Sequence, residues 1–305
     1  MGARLPTLVR VLECVVNVSE GRDLAALRAI AAATGPALLD VHTDADHNRA
    51  VFTLASPDAA DVIDATRLLA DAVATSISVV AHDGVHPFMG ALDVVPFISL
   101  DDGDAGRRTA VAAARDFAAW WAETHGVPAF LYDEADPSGR DLPRTRREAF
   151  ATRAPDFGPA TPHPTLGATA VGARPPLVAI NLWLAPPDLA VARRIARSVR
   201  ERDGGLLGVR ALGFAMRSAD GAQVSMNLVD LERTGVEAAC DAVRELGRRE
   251  QTDVASVELV GLVPQREAER WSPAFRAWAR LDDGIAVEDR VGLGPRRRPG
   301  DPETS

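Results

Sequence analysis

Apolar and polar positions alternate along some stretches of this chain and repeat at helical spacing along others, and the exchange between the two patterns occurs twice. Arg10 to Val18, R-V-L-E-C-V-V-N-V, alternates and predicts a strand. It ends in N-V-S-E-G-R-D, where Asn17, Ser19 and Asp23 can bond their own backbone or cap the next element. Leu24, Leu27 and Ile30 lie on one face of a helix from Asp23 to Ala33, stopped by Gly35-Pro36. Strands are expected at Ala37 to Val41 and Ala50 to Ala55, around the polar loop H-T-D-A-D-H-N-R. Pro57-Asp58 opens a helix to Ala74, and a strand is expected from Leu92 to Leu100. A helix from Asp104 to His125, ended by Gly126, and a strand from Val127 to Tyr132 complete the first set. The first six elements run β-α-β-β-α-β, the split βαβ order in which two helices cover one face of a sheet.

From Asp133 to Thr169 the texture changes to recurrent prolines and clustered arginines, Arg140, Arg144, Arg146, Arg147 and Arg153 among them. This reads as a long ordered loop with one short helix. The β-α-β-β-α-β order then returns: strand Leu177 to Trp183, helix Pro186 to Glu201, a hairpin of Val209 to Met216 and Gln223 to Val229 turning at Ser218 to Gly221, helix Val236 to Arg249, and strand Val257 to Val263. The expected fold is α+β, with two ferredoxin-like lobes whose mixed or antiparallel sheets are covered by helices and enclose a ligand groove. Residues 1–170 would form the first lobe, 171–285 the second, and 286–305 a disordered tail.

Composition narrows the function. The chain has 305 residues, 47% of them hydrophobic, enough for two modest cores. A net charge of −9 argues against a nucleic-acid binder with a broad basic surface, while leaving room for a local positive pocket. There is no lysine, so every cation other than histidine and the chain terminus is arginine. No run is long and apolar enough to cross a bilayer and no signal segment opens the chain, so a cytoplasmic protein with no membrane partner is expected. Cys14 and Cys240 fall in a strand and a helix far apart and read as buried free thiols.

The chemistry concentrates in Ala81 to Phe97, A-H-D-G-V-H-P-F-M-G-A-L-D-V-V-P-F. Gly84 and Pro87 keep His82 and His86 off a helix and place them on a turn-rich loop entering a strand, where the alternative to chemistry is a solvated surface loop. Asp44, Asp46 and His47 could suggest a metal site, but such carboxylate turns more often cap backbone. Arg49 could hold a substrate carboxylate by a bidentate pair or make a surface ion pair.

The loop resembles that of the glutamate formimidoyltransferase (formiminotransferase) family, H-K-G-E-H-P-R-M-G-A-x-D-V-x-P-F. His82, Gly84, His86, Pro87, Met89, Gly90, Ala91, Asp93, Val94, Pro96 and Phe97 match, while the family's Lys, Glu and Arg are Asp83, Val85 and Phe88 here. Further matches keep family order: E-C-V-V-N-V-S-E-G-R from Glu13, N-R-A-V-F-T from Asn48, A-P-D-F-G-P from Ala154, L-G-A-T-A-V-G-A-R from Leu166, A-Q-V-S-M-N-L from Ala222 and E-L-V-G-L-V-P from Glu258. Leu166 and Pro175 stand where the family has Trp and Lys.

The resemblance implies transfer of a formimino group from N-formimino-L-glutamate to N5 of tetrahydrofolate, a co-substrate, with no metal. It implies His82 as the catalytic proton-transfer group. It implies a folate site at Gly167, Ala168, Thr169, Ala170, Val171, Gly172, Ala173 and Arg174, and amino-acid substrate contacts at Asn17, Asp46, Asn48, Arg49, His86 and Met89. A homodimer is implied, with a separate cyclodeaminase acting downstream. Asp83 is expected to raise the pKa of His82 in place of the lost Glu. The rival readings are formyl transfer between 5-formyl-tetrahydrofolate and glutamate, a folate-binding homologue with weak turnover, and a metal hydrolase built on His82, His86 and Asp44.

Overall fold

The computed structural model describes residues 11–84, 87–101, 103–216 and 221–293. In the first lobe, β1 (Leu12–Val18), α1 (Leu24–Ala33), β2 (Leu38–Asp44), β3 (Arg49–Ser56), α2 (Ala59–Ser76), β4 (Leu92–Ser99), α3 (Asp104–His125), β5 (Ala129–Asp133), α4 (Leu142–Glu148) and β6 (Thr169–Ala173) build a six-stranded sheet in the order β2-β3-β1-β4-β6-β5. The first four positions are the antiparallel split βαβ arrangement; β6 then runs parallel to both β4 and β5. Aspartates start α1, α2 and α4, where Asp23, Asp58 and Asp141 each accept backbone N–H groups that the first helical turn leaves open.

Because side chains alternate along a strand, one face of this sheet is apolar and the other mixed. Cys14, Val16 and Val18 of β1, Phe52 and Leu54 of β3, and Phe97 of β4 pack with Leu69 of α2 and Phe117 and Trp121 of α3 in one dry core. The residues between them, including Glu13, Asn17, Val51, Thr53 and Val94, belong to the opposite face.

The second lobe repeats the plan with β7 (Val178–Ala185), α5 (Leu189–Val199), β8 (Val209–Met216), β9 (Gly221–Leu228), α6 (Val236–Arg249) and β10 (Asp253–Val260), in the antiparallel order β10-β7-β9-β8. Its core joins Ile180, Leu182, Val224, Ile195, Cys240 and Val243. Short helices α7 (Gln265–Ala268), α8 (Pro273–Ala279) and α9 (Val287–Arg290) come last. Both cysteines are buried and free. Among the described residues no helix is long and apolar enough to cross a membrane.

Three expectations need correction. The stretch after Gly167, expected as linker and ligand loop, contains β6, so a lobe boundary at residue 170 would cut a strand of the first sheet. The last strand, β10, lies earlier than Val257 to Val263; it is a sheet edge, which tolerates Asp253 and Ser256, and Gly261 turns the chain out of it at φ 78°. The tail expected from residue 286 begins folded. The Val287 amide donates to Val263 O at 2.9 Å, and Val287 packs fully buried against Val11 and Ala55 of the first lobe and Leu262 of the second. The hairpin turn expected at Ser218 to Gly221 falls largely outside the described residues.

Gly172 of β6 lies beneath the buried ring of Tyr132; a Cβ there would stand 2.4 Å from Tyr132 Cε1. Gly172→Val should therefore destabilise the protein by about 2 kcal/mol despite valine's strand preference, read as a lower urea midpoint at constant slope.

Glu13 is 5% exposed. Burial pushes its carboxyl up to about 7, against the pull of Arg174 and with a further push from Glu288. The folded state thus holds a proton that the unfolded chain releases from about pH 4.5 upward, so this residue makes stability fall as pH rises from about 4.5 to 7. Glu13→Gln should remove that part of the slope, on the order of 3 kcal/mol at most, in urea titrations compared at pH 5 and pH 8.

Candidate functional site

The loop between α2 and β4 is gripped by backbone from two directions. From one side Ala91 N donates to Leu166 O at 2.9 Å, Ala168 N to Met89 O at 3.0 Å and Val79 N to Thr165 O at 2.9 Å. From the other, Ser19 at the end of β1 donates through N to Ala91 O at 2.9 Å and through Oγ to Gly90 O at 2.7 Å. The approach leaves no space for a side chain. A Cβ on Gly90 would fall 2.3 Å from Ala168 O, and one on Gly167, at φ 70°, 2.4 Å from Met89 O. Gly84 is pressed in the same way onto His47 O, at 2.3 Å.

His82 stands on this loop, partly buried. Asn48, at φ 48° just before β3, is its polar neighbour: Asn48 Nδ2 lies 3.2 Å from His82 Nδ1 and 3.1 Å from Asp83 O, and Asn48 Oδ1 accepts from Gly21 N at 3.0 Å. Phe88 sits edge-on to the imidazole, ring centres 4.4 Å apart. Asp83 forms an ion pair with Arg22. Burial pushes the His82 imidazole below its ordinary value; Glu20 pulls it up, Arg22 pushes it down, and the upward pull of Asp83 is the smallest of these. Asp83 does pull the imidazole upward as expected, but the carboxylate is paired with Arg22 and desolvation outweighs it, so the net shift is downward.

Beyond the loop the helix-free faces of the two sheets meet at the contact between the lobes. Arg49 begins β3 on that face. Burial lowers its guanidinium against the support of Asp93 and Asp44, with Arg146 opposing and Glu258 of the second lobe supporting. Asp93 is 1% exposed; it accepts the Met89 amide at 2.7 Å and an ion pair from Arg146 of α4. The lobes meet through His42 and Glu258 (3.4 Å), Asp141 and Arg210 (3.2 Å), and the edge-on rings of His47 and Phe214 (5.0 Å). At the far end Arg174 donates to Pro175 O at 3.0 Å, and burial raises Asp133 to about 6 against Arg210 and Arg174. Thr53 Oγ1 of β3 and the side-chain amide of Gln223 of β9 are buried, belong to the two open faces, and have no protein partner among the described residues.

The sequence-predicted residues divide clearly. Within Gly167 to Arg174, Val171 and Ala173 join the helix-covered core, and Thr169 Oγ1 bridges Trp121 Nε1 (2.9 Å) and Leu92 O (2.7 Å). Ala170 packs instead with Val94, Tyr132 and Met89, on the groove side with Gly172 and, beyond the strand, Arg174. The side chain of Asn48 is used inside the protein. Asn17 donates to Val15 O at 3.2 Å. Asp46 lies in a turn where Asp44 accepts the Asp46 and His47 amides and pairs with His47 Nδ1 at 2.7 Å; burial raises Asp44, but His47 outweighs it and holds the carboxyl at about 2. That is the capping use of D-A-D-H. His86 lies outside the described residues. Asp93, Arg146, Glu258 and Gln223 were not singled out from sequence. Asp93 had a signal, a charge inside an otherwise apolar strand; Arg146 was one arginine among several, and Glu258 and Gln223 required the packing of the second lobe.

Two family models match this chain: the N-terminal subdomain of the formiminotransferase domain over residues 11–174, and the formiminotransferase domain over residues 179–271. Among similar proteins, a glutamate formimidoyltransferase of Thermoplasma acidophilum is 36% identical over 298 residues, covering 92% of this chain and 97% of that one. A glutamate formimidoyltransferase of Streptococcus pyogenes serotype M1 is 33% identical, covering 85% and 91%. The formimidoyltransferase-cyclodeaminase of Sus scrofa is 37% identical over a match that takes in 84% of this chain and half of the longer protein. With both subdomain models in place and relatives aligned over nearly their whole length, the chain belongs to the formiminotransferase-domain family.

Proposed function

We propose that this protein transfers the formimino group of N-formimino-L-glutamate to N5 of tetrahydrofolate and releases L-glutamate, with the reaction taking place in the groove between the lobes. The observation that carries it is His82 on a loop fixed to two backbone segments, with Asn48 on its Nδ1. Its full-length relatives named glutamate formimidoyltransferase support the same reading.

The groove suits both substrates. Thr53 Oγ1 and the Gln223 amide are unused donors and acceptors of the kind a flat polar heterocycle needs. Arg174 would meet the anionic end of the folate. Tetrahydrofolate, as co-substrate, supplies the nucleophilic amine. Arg49 pairs with a carboxylate of the amino-acid substrate, and Asp93 with Arg146 holds the Met89 segment beside it. His82 assists the transfer of the proton that must leave the attacking amine and arrive on the nitrogen of glutamate by hydrogen-bonding the charge that gathers meanwhile; holding both substrates in one groove supplies much of the remaining acceleration. Phe88 and the Arg22–Asp83 pair set the surroundings of His82 where the family's charges are absent. A homodimer and a separate enzyme that removes ammonia from the product complete this reading.

Single-turnover formation of 5-formimino-tetrahydrofolate should occur with the wild type and fall by about 100-fold or more in His82→Ala. Arg49→Gln should raise KM for formiminoglutamate by about tenfold with a smaller change in kcat. A wild type that gives no product from saturating substrates would overturn the assignment.

A further inference from the structure

The hydrogen bonds of Asn48 determine which nitrogen of His82 carries its proton. The backbone N–H of Gly21 can only donate, so the atom it meets at 3.0 Å is Asn48 Oδ1. The carbonyl of Asp83 can only accept, so the atom it meets at 3.1 Å is the Asn48 NH2 group. Turning the amide over would set donor against donor at Gly21 and acceptor against acceptor at Asp83. The second hydrogen of Asn48 Nδ2 is thus left for His82 Nδ1 at 3.2 Å, and that nitrogen must be an acceptor. An imidazole that accepts at Nδ1 is neutral and carries its hydrogen on Nε2.

We infer that Asn48 is a positioning residue that fixes His82 as the neutral tautomer protonated on Nε2, so that His82 enters the reaction as a hydrogen-bond donor rather than as a base. Several observations agree. Asn48 is 6% exposed and sits at φ 48°, a conformation asparagine tolerates better than most residues. Gly21 and Gly84 let their backbones reach it; a Cβ on Gly21 would stand 2.1 Å from Asp44 O. The charged groups facing the ring are Glu20 and Arg22, from the turn after β1, and Asp83 beside it. Glu20 accepts the Arg22 and Asp23 amides at 2.7 and 2.9 Å and Asp83 pairs with Arg22; the upward pull of the two carboxylates on the ring is outweighed by burial. Phe88 closes on the ring edge-to-face and adds desolvation.

The arrangement is the reverse of the serine-protease triad, in which a carboxylate accepts from Nδ1–H and so leaves Nε2 free to act as a base. Here a donor faces Nδ1. The proton transfer rests on the function proposed above. In it, the lone pair of the attacking amine forms the new bond to the formimino carbon, and the π pair moves to the terminal nitrogen. His82 Nε2–H donates a hydrogen bond to that terminal nitrogen, where negative charge gathers. The proton shed by the attacking amine passes to the nitrogen of glutamate as the bond from that nitrogen to carbon breaks, its electron pair staying with glutamate, and the terminal nitrogen re-forms the double bond. The ring keeps its hydrogen throughout.

The test is nitrogen NMR of protein labelled with ¹⁵N-histidine, the His82 signals being those absent from His82→Gln. Wild type at neutral pH should show an unprotonated Nδ1 and a protonated Nε2. Asn48→Asp, which keeps the shape and offers an acceptor, should move the proton to Nδ1 or make the ring cationic, raise the pH at which it titrates, and lower single-turnover transfer by about 100-fold. Asn48→Gly, which keeps the left-handed backbone and removes the amide, should show mixed tautomers and lose about tenfold. A wild-type ring protonated on Nδ1, or an Asn48→Asp enzyme as fast as wild type, would overturn the inference. Absence of transfer by the wild type would instead overturn the proposed reaction, and the NMR result would still decide the tautomer.

Discussion

Two strips of backbone, Met89-Gly90 and Gly167-Ala168, lie so close that neither can carry a side chain toward the other. The site's geometry depends on that contact. It ties the loop bearing His82 to the start of β6, and β6 is an interior strand of the first sheet, buried along its whole length. A loop that would otherwise be surface chain inherits the rigidity of the sheet. The site then needs few further supports: Ser19 from the end of β1, Asn48 from the start of β3, and Asp93 with Arg146 beneath Met89. All of them converge where β1 ends and β3 and β4 begin.

Much of this was legible in the sequence because local pattern and tertiary demand coincide. The amphipathic helices, the β-α-β-β-α-β order and its repetition come from apolar periodicity, and the stretch Ala81 to Phe97 stands out through Gly84, Pro87 and Gly90, of which the packing explains both glycines. The hidden parts have physical causes. β6 is T-A-V-G-A, three of its five residues alanine or glycine with weak strand preference, chosen by packing under Tyr132 and against β4. A small-residue stretch reads as loop or ligand cradle until its neighbours are known. The role of Asn48 was hidden as well. An asparagine before an arginine suggests two polar groups offered to a substrate. The backbone instead places Asn48 in a left-handed turn toward His82 and Arg49 on the first residue of a strand, so that of the two only the arginine belongs to the groove.

The loop also shows how a site can keep its geometry while its charges change. Asp83, Val85 and Phe88 replace a Lys, a Glu and an Arg of the family pattern. Asp83 finds Arg22, and Phe88 lies against the imidazole. Both of these replacements act on the environment of His82 rather than on its position, because position is set by backbone hydrogen bonds that no side chain in the loop supplies. Substitution in such a loop alters acidity and solvation more readily than placement.

The α9 segment carries a consequence for how the two lobes stay together. Val287 bridges Val11 and Ala55 of one lobe and Leu262 of the other, at the end of the sheets away from His82. It works as a clasp: a change that empties its place loosens both lobes at once, although it touches nothing in the His82 loop.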